Sequence, residues 1–516
     1  MKKTFYITTP IYYASGNLHI GHLFTTTLAW AITNYKKSQG YDVKMLTGSD
    51  EHGQKIQQIA QEHNLAPQQF VDQVVSKFKH MWEVFDINYH YFSRTTSTKH
   101  KQIVKDIFSY FLKQGYIYKG KYQGWYSISD EEFLTEAQAI KKDGKLYHPA
   151  SGHVLTKVSE DSYFFKMKLF ENWLKEYIDS NPDFLFPKKT EHEMLVNFIN
   201  KGLEDLSVTR TNINWGIKIN EDNNHTLYVW LDALCNYISA LDFDINDVDK
   251  PSDFNKYWNN ENSEVVHILG KEISRFHMIY WPIFLKALNI KQPNRIQAHG
   301  WIVTSQGKMS KSKGNVVDPF DLVSKYHPEM IKYFFISQFG LGEDLIFDED
   351  RFIDVINSHL INNYGNLVSR TLKMISNSFN RPLKTNEYLN EDLQMLEQIK
   401  ESKESFCYEF DRYQIHKAFT IATNLSDNLN KYIDVTKPWT LTNDLIRLEK
   451  ILLVLLNGIY AVSAYLSILL PKKVAEVADA LCISGFNFQQ ITNFHKFDNI
   501  IPKSHFILFN RIKKGN

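Results

Sequence analysis

Apolar and polar positions along this chain change period several times, and each change marks an element. Phe5-Tyr6-Ile7-Thr8-Thr9 is an aromatic and β-branched run that predicts a short strand stopped by Pro10. Ser15-Gly16-Asn17 is turn chemistry. From Leu23 onward, Leu28, Ala29, Ile32 and Tyr35 keep helical spacing, and Gly40 is placed to end that helix. Val43 to Leu46 then predicts a second strand, completing a βαβ unit. Pro67 opens a further helix whose apolar face is Phe70, Val74, Phe78, Met81 and Phe85.

After about Gln114 the texture changes. Between Gly115 and Asn223 short aromatic runs are broken by turns at Asp143-Gly144 and Ser151-Gly152, which predicts an inserted β-containing subdomain. The α/β pattern then resumes. Tyr228-Val229-Trp230 leads into a helix, Val265 to Leu269 is a buried strand ending at Gly270, Ile273 to Leu288 is a helix, and Arg295 to Thr304 is a strand. Beyond about Asp350 only long helical periods remain. There is no internal repeat and no low-complexity segment.

One segment tests this globular pattern. Ile451 to Leu470 carries no charge and is long enough to span a bilayer. Asn457, Gly458, Tyr460, Ser463, Tyr465 and Ser467 interrupt it, and Pro471-Lys472-Lys473 ends it, so a helix buried in a bundle is expected. The chain's 516 residues exceed one ordinary core. Its 59 Lys and Arg nearly cancel 58 Asp and Glu, so any nucleic-acid contact must use local patches. Cys235, Cys407 and Cys482 form no CxxC pair, which points to a reducing compartment without disulfides or a thiolate metal site. No signal peptide is expected, because Lys2-Lys3 is followed by Pro10 and polar threonines.

Two short words carry candidate chemistry. His19-Ile20-Gly21-His22 stands at the start of the first helix, where two imidazoles meet the positive end of the helix dipole and a glycine permits close approach. Lys308-Met309-Ser310-Lys311-Ser312 lies in a loop bracketed by Gly307 and Gly314, with two mobile point charges suited to phosphate. Neither of two superficial motifs holds up. In Gly48 to Lys55 the lysine falls one place late for a P-loop, and Val196 takes the place of the second histidine after His192-Glu193.

In this order and setting the two words resemble the ATP-handling signatures of class I aminoacyl-tRNA synthetases, and the chain as a whole resembles the methionyl-tRNA synthetase family. Three longer motifs carry the narrower resemblance: Thr47-Gly48-Ser49-Asp50-Glu51-His52-Gly53, Tyr228-Val229-Trp230-Leu231-Asp232-Ala233, and Gly270-Lys271-Glu272 leading to Phe276-His277. The resemblance implies a Rossmann-like parallel-sheet catalytic domain (1–114 and 224–300) split by an inserted connective subdomain (115–223). A loop and stem-contact region (301–350) and an all-α helical-bundle anticodon-binding domain (351–516) would follow. It implies ATP with Mg²⁺, methionine and tRNA(Met), including the initiator, as cofactors and partners of a cytosolic monomer.

By the same resemblance, His19, Gly21, His22, Lys308 and Lys311 handle ATP, with the two histidines and two lysines catalytic. Asp50 takes the substrate ammonium, and Ile11, Tyr13, Trp230, Tyr237, Ile273, Phe276 and His277 form the methionine pocket. Aromatic walls suit a thioether, because sulfur–ring contacts are favourable by about 0.3–1.5 kcal/mol. Tyr237 and His277 are also expected to donate weakly to sulfur. Asn366, Arg370, Pro438 and Trp439 match the anticodon-reading positions, and their side chains suit unpaired bases.

The chain departs from the family pattern in three places. Where many members hold paired cysteines in a zinc knuckle, this sequence has Ser127, Asp130, His148 and Ser151, so no structural zinc is expected. Ser15 stands where relatives often have Asn, and with the sequence stopping at Asn516 after a short basic tail, the C-terminal OB-like domain that dimerises some relatives is not expected. Two alternatives stay open: a class I ligase for another apolar amino acid, and an inactive tRNA-binding scaffold. Intact His19, His22, Lys308 and Lys311 weigh against the scaffold.

Overall fold

The structure, a computed structural model, describes residues 2–129, 132–134, 136–149, 151–304, 307–308, 316–384, 387–498, 500–503 and 507–514. It divides into two compact units, Met1–Trp301 and Ile302–Asn516.

The first unit is built on a six-stranded sheet. Its spatial order is Tyr91–Arg94, Asp42–Asp50, Thr4–Tyr13, Ser263–Gly270, Arg295–His299 and Leu185–Phe186. All of its pairings are parallel. Such a sheet is covered on both faces, and its strands are accordingly near-continuous apolar runs. The first strand does not stop at Pro10. It runs from Thr4 to Tyr13, and its register against Asp42–Asp50 shifts between Thr8 and Ile11. The irregularity lets the strand carry a residue with no N–H to give the ladder.

The helix Ile20–Ser38 follows, with Gly40 at φ +88° turning the chain into the second strand. Gly48 has a different duty: a Cβ there would collide with the Ser93 carbonyl and the Ile11 side chain. The expected strand over Arg295–Thr304 is two strands. Arg295–His299 ends in the main sheet, and Ile302–Thr304 belongs to the second unit. The expected helix over Ile273–Leu288 contains a π turn at Phe276–Tyr280 before regular helix resumes at Trp281–Ala287.

The segment after Lys113 forms a four-stranded sheet in the order Leu206–Ser207, Thr156–Phe165, Ile117–Ser127, Glu132–Leu134. Within the same stretch, Leu185–Phe186 leaves it to pair with the main sheet. Phe165 packs edge-on against Phe111 and Phe284, so the core is continuous between the two sheets. At the far end a small hairpin, turned by Asp143 and Gly144, has its own core of Leu134, Leu146 and Leu155.

The second unit opens with a three-stranded sheet of Gly307–Lys308, Ile302–Thr304 and Leu345–Ile346. Helices follow, among them Asn366–Ser378, Asn390–Asp411, Ile415–Thr436 and Leu445–Leu466. The uncharged stretch is the middle of this bundle, buried from Ile451 to Leu466. Its polar groups are answered inside: Ser463 meets the Tyr364 hydroxyl at 2.6 Å and Tyr465 meets Ser402 at 2.9 Å. At Gly458 a Cβ would strike Leu429, so the glycine sets how closely this helix approaches Ile415–Thr436. Among the described residues no helix is long and apolar enough to cross a membrane.

Candidate active site

In the first unit, chain order reverses between the adjacent strands Thr4–Tyr13 and Ser263–Gly270. In open parallel sheets that switch point opens a crevice at the carboxyl ends of the strands. Most of the candidate side chains of this unit follow those ends.

After the first strand, His19 caps the helix Ile20–Ser38. Its Nδ1 accepts the Gly21 N–H at 3.0 Å, and His22 Nδ1 accepts the His19 N–H at 3.0 Å, a reciprocal capping box made of two imidazoles. Each neutral ring therefore carries its proton on Nε2. The ring centroids are 4.0 Å apart. Gly21 is required between them, because a Cβ would lie 2.7 Å from the His19 ring. N–H donors at a helix N-terminus are the chemistry that phosphate oxygens accept.

Asp50 ends the second strand, half-buried and in register with Tyr13, while Ile11 sits opposite Gly48. Burial, then the neighbouring Tyr12 and Asp50, hold the Tyr237 phenol well above its ordinary range, which puts Asp50 within electrostatic reach of Tyr237. The aromatic candidates do converge. Trp230 stacks on Phe276 with centroids 3.5 Å apart and planes 6° from parallel, and Tyr237 and His277 lie beside them. Ile273 joins them by accepting the His277 Nδ1 proton at 3.0 Å on its carbonyl.

That last bond corrects one expectation. Burial pushes His277 down to about 4, so the ring is neutral at ordinary pH. With Nδ1–H given to Ile273, Nε2 accepts from the Tyr237 hydroxyl at 2.6 Å. Both protons expected to face a thioether are thus engaged within the protein.

Behind these side chains stand groups to which the sequence pattern assigned no role. Glu51 is completely buried and accepts from Arg94 Nε at 2.6 Å, Arg94 Nη2 at 2.8 Å and the Thr96 hydroxyl at 2.6 Å. Asp232, on the helix Val229–Ser239, accepts from His52 Nδ1 at 2.6 Å and His100 Nε2 at 2.7 Å. Burial pushes Asp232 upward, but the two imidazoles outweigh it and hold the carboxyl below its usual range. Two of the quoted motifs are therefore one unit: His52 ties the Asp50 loop to the helix bearing Trp230 and Tyr237. Asp232, a carboxylate inside the apolar run Tyr228 to Ala233, was the available signal.

Of the second ATP word, Gly307–Lys308 pairs with Ile302–Thr304 and Gly307 has φ +95°. The Lys308 side chain and Lys311 lie outside the described residues, as does Asp130 of the knuckle region. Ser127 and His148 are buried, and Ser151 gives its N–H to His148 Nδ1. Among the described residues no three His, Cys, Asp or Glu side chains gather as a metal site would require.

In the second unit Arg370 and Trp439 are neighbours. The guanidinium lies 6.0 Å from the indole centroid and reaches Asp434 at 3.4 Å. Trp439 is 51% exposed, Asn366 is exposed one turn before Arg370, and Pro438 is buried behind a left-handed Lys437. Asn366, Arg370 and Trp439 thus expose an amide, a cation and an aromatic ring, while Pro438 is buried.

Against known proteins, a family model described as tRNA synthetases class I (M) matches residues 5–372. A curated methionine–tRNA ligase of Mycoplasmopsis pulmonis is 50% identical over 99% of this chain and 100% of its own length. One from Listeria monocytogenes is 44% identical over 86% of this chain and 67% of its own. The solved Mycobacterium tuberculosis methionyl-tRNA synthetase in complex with methionyl-adenylate is similar with TM-score 0.91 and 30% identity, covering 99% of this chain and 100% of that one. The apo form of that synthetase matches with TM-score 0.87 and 28% identity, over 100% of this chain and 99% of its own.

Proposed function

The chain belongs to the methionine–tRNA ligases of the class I tRNA synthetase family, and on that premise we propose a residue-level account of how it activates methionine and charges tRNA(Met), including the initiator. The observation that carries it is the crevice itself, where the paired imidazole donors, Asp50 and the aromatic cluster gather at one end of one sheet.

Asp50 receives the substrate ammonium, and Ile11, Tyr13, Trp230, Tyr237, Ile273, Phe276 and His277 enclose the side chain. The methionine carboxylate oxygen attacks the α-phosphorus of ATP, the bond to the bridging oxygen breaks, and pyrophosphate leaves. Positioning and charge neutralisation carry most of such a step. His19 and His22 hold phosphate oxygens through their Nε2 protons, Gly21 allows close approach, and Lys308 and Lys311 neutralise charge developing on the leaving group. Mg²⁺ brought with the nucleotide would add neutralisation of phosphate charge to that of Lys308 and Lys311. A terminal ribose hydroxyl of tRNA then attacks the adenylate carbonyl, releasing AMP.

The catalytic work belongs to 1–114 and 224–300, with 115–223 inserted, 301–350 as loop and stem-contact region, and 351–516 as the anticodon-binding part. Asn366, Arg370, Pro438 and Trp439 read the anticodon. The enzyme works as a cytosolic monomer without structural zinc. Amino-acid-dependent ATP–pyrophosphate exchange with all twenty amino acids tests the core of this account. Strong exchange with methionine is expected, and stronger exchange with isoleucine, valine or cysteine would refute it.

A further inference from the structure

A carboxylate of the inserted subdomain reaches the helix that carries the aromatic cluster. Glu132 begins the edge strand Glu132–Leu134, in register with Ser127. Its Oε2 accepts from His148 Nε2 at 2.9 Å, and its Oε1 accepts from Arg275 Nη1 at 2.5 Å. His148 Nδ1 accepts the Ser151 N–H at 3.1 Å, which leaves the imidazole proton on Nε2, facing the carboxylate. The Glu132 and Arg275 side chains are only 13% and 19% exposed. The guanidinium also lies over the Phe198 ring at 4.6 Å and the Tyr280 ring at 5.6 Å.

Arg275 is the residue immediately before the π turn Phe276–Tyr280. Single π turns are rare in helices and are frequent at functional sites. Here it carries Phe276 and His277. Phe276 lies almost flush with Trp230, so a small displacement of the turn disturbs the stack. The ion pair to a separate sheet adds a support from outside the turn's own helix.

We propose that Glu132 is a positioning residue for methionine: through Arg275 it fixes the first turn of the pocket helix, and with it the Phe276 and His277 rings. The proposal rests on those rings being the methionine pocket. In it, the hydrogen-bonded His148–Glu132–Arg275 chain makes the inserted subdomain a working part of amino-acid recognition.

The test is ATP–pyrophosphate exchange, corrected for active enzyme by adenylate burst titration, with Glu132→Gln, Arg275→Met, the double variant and Phe276→Ala. Glu132→Gln keeps shape and an acceptor but removes the charge. It should raise the methionine KM roughly tenfold, the scale on which small misplacement of a binding group is felt. ATP KM and kcat should stay within about twofold, because neither depends on the π turn. The double variant should be no worse than Arg275→Met alone, as expected when both act through one contact. His148→Gln should move methionine KM in the same direction by less. An unchanged methionine KM in Glu132→Gln, with a raised one in Phe276→Ala, would overturn the proposal and leave the pocket standing. If Phe276→Ala also left it unchanged, the pocket assignment itself would fall. Equal losses in methionine KM, ATP KM, kcat and burst amplitude, or additive single effects, would mark the pair as a fold-maintaining contact and overturn the proposal too.

Discussion

Asp232→Asn offers the sharpest test of how the site is held. The carboxylate is 1% exposed and is the common acceptor for His52 and His100, at 2.6 and 2.7 Å. Asparagine fits the space but keeps one acceptor oxygen, and its NH₂ would face an imidazole N–H. One charge-assisted hydrogen bond is lost, about 1.5–3 kcal/mol, and one buried donor is orphaned at about 1–3 kcal/mol. Relief from burying a charge offsets part of this, because isolated buried ions are costly to desolvate. The net expectation is about 2–4 kcal/mol less unfolding free energy for the first unit. Urea unfolding followed by tryptophan fluorescence, on the full chain at pH 7.5, gives the number. Exchange kinetics on the still-folded fraction should show methionine KM rising more than ATP KM, since Asp50 is two residues from His52 and Trp230 two from Asp232. A stability change below about 0.5 kcal/mol, the usual range for a surface substitution, would refute the reasoning.

Burial holds His277 near 4 against an ordinary value near 6.5. Below about pH 6.5 the unfolded chain takes up a proton that the folded chain refuses, so stability falls as pH drops towards 4, by up to about 3 kcal/mol in all. Relative to His277→Gln, the parent should therefore lose ground over that window and not above pH 7; a difference independent of pH contradicts the assignment. If Trp439 stacks on an anticodon base, Trp439→Ala should weaken tRNA binding by about 1–3 kcal/mol and leave tRNA-independent exchange untouched; an equal loss in both would mark it as a packing residue. Lys311→Ala should slow adenylate formation by a few kcal/mol of activation free energy, roughly one transition-state charge contact, with methionine affinity unchanged. Metal analysis of untagged protein should find far less than one zinc per chain, and stoichiometric, chelation-resistant zinc would contradict the zinc-free account.

The sequence was most legible where one physical signal dominated. The aromatic and β-branched run at Phe5, the helix after His19 and the uncharged stretch from Ile451 each follow from local pattern. Pro10 misled, because a register shift can absorb a proline that would break a regular ladder. The Arg295–Thr304 run hid a change of sheet, since both halves are apolar and nothing in the period marks the break. The π turn at Phe276 was invisible for a similar reason: one extra residue per turn barely alters an apolar pattern this dense. Site residues on quoted motifs were nameable, but their supporting partners were not. His52, His100 and Asp232 meet across more than a hundred residues of chain, which no spacing rule encodes.

On the proposed assignment of the methionine pocket, the proton bookkeeping of its side chains bears on how a thioether is selected. Tyr237 gives its proton to His277, and His277 gives its own to Ile273. Farther in, Trp281 donates to His267 Nε2 at 3.1 Å, while burial keeps that ring neutral and its Nδ1 meets Thr8. If these side chains form the methionine pocket as proposed, the Tyr237 and His277 protons are committed, the buried Trp230 Nε1–H has no partner among the described residues, and the face of the Trp230–Phe276 stack would meet sulfur through dispersion. The two directions of discrimination then differ in strength. A polar side chain entering the pocket would leave hydrogen-bonding groups unpaired, at about 1–3 kcal/mol each. An apolar side chain of similar length forfeits only the sulfur–ring preference, about 0.3–1.5 kcal/mol per contact. Apolar rivals must therefore be rejected by fit, which depends on how firmly the rings are held. The buried bonds of Asp232, Glu51 and Glu132 hold the elements that carry those rings and Asp50.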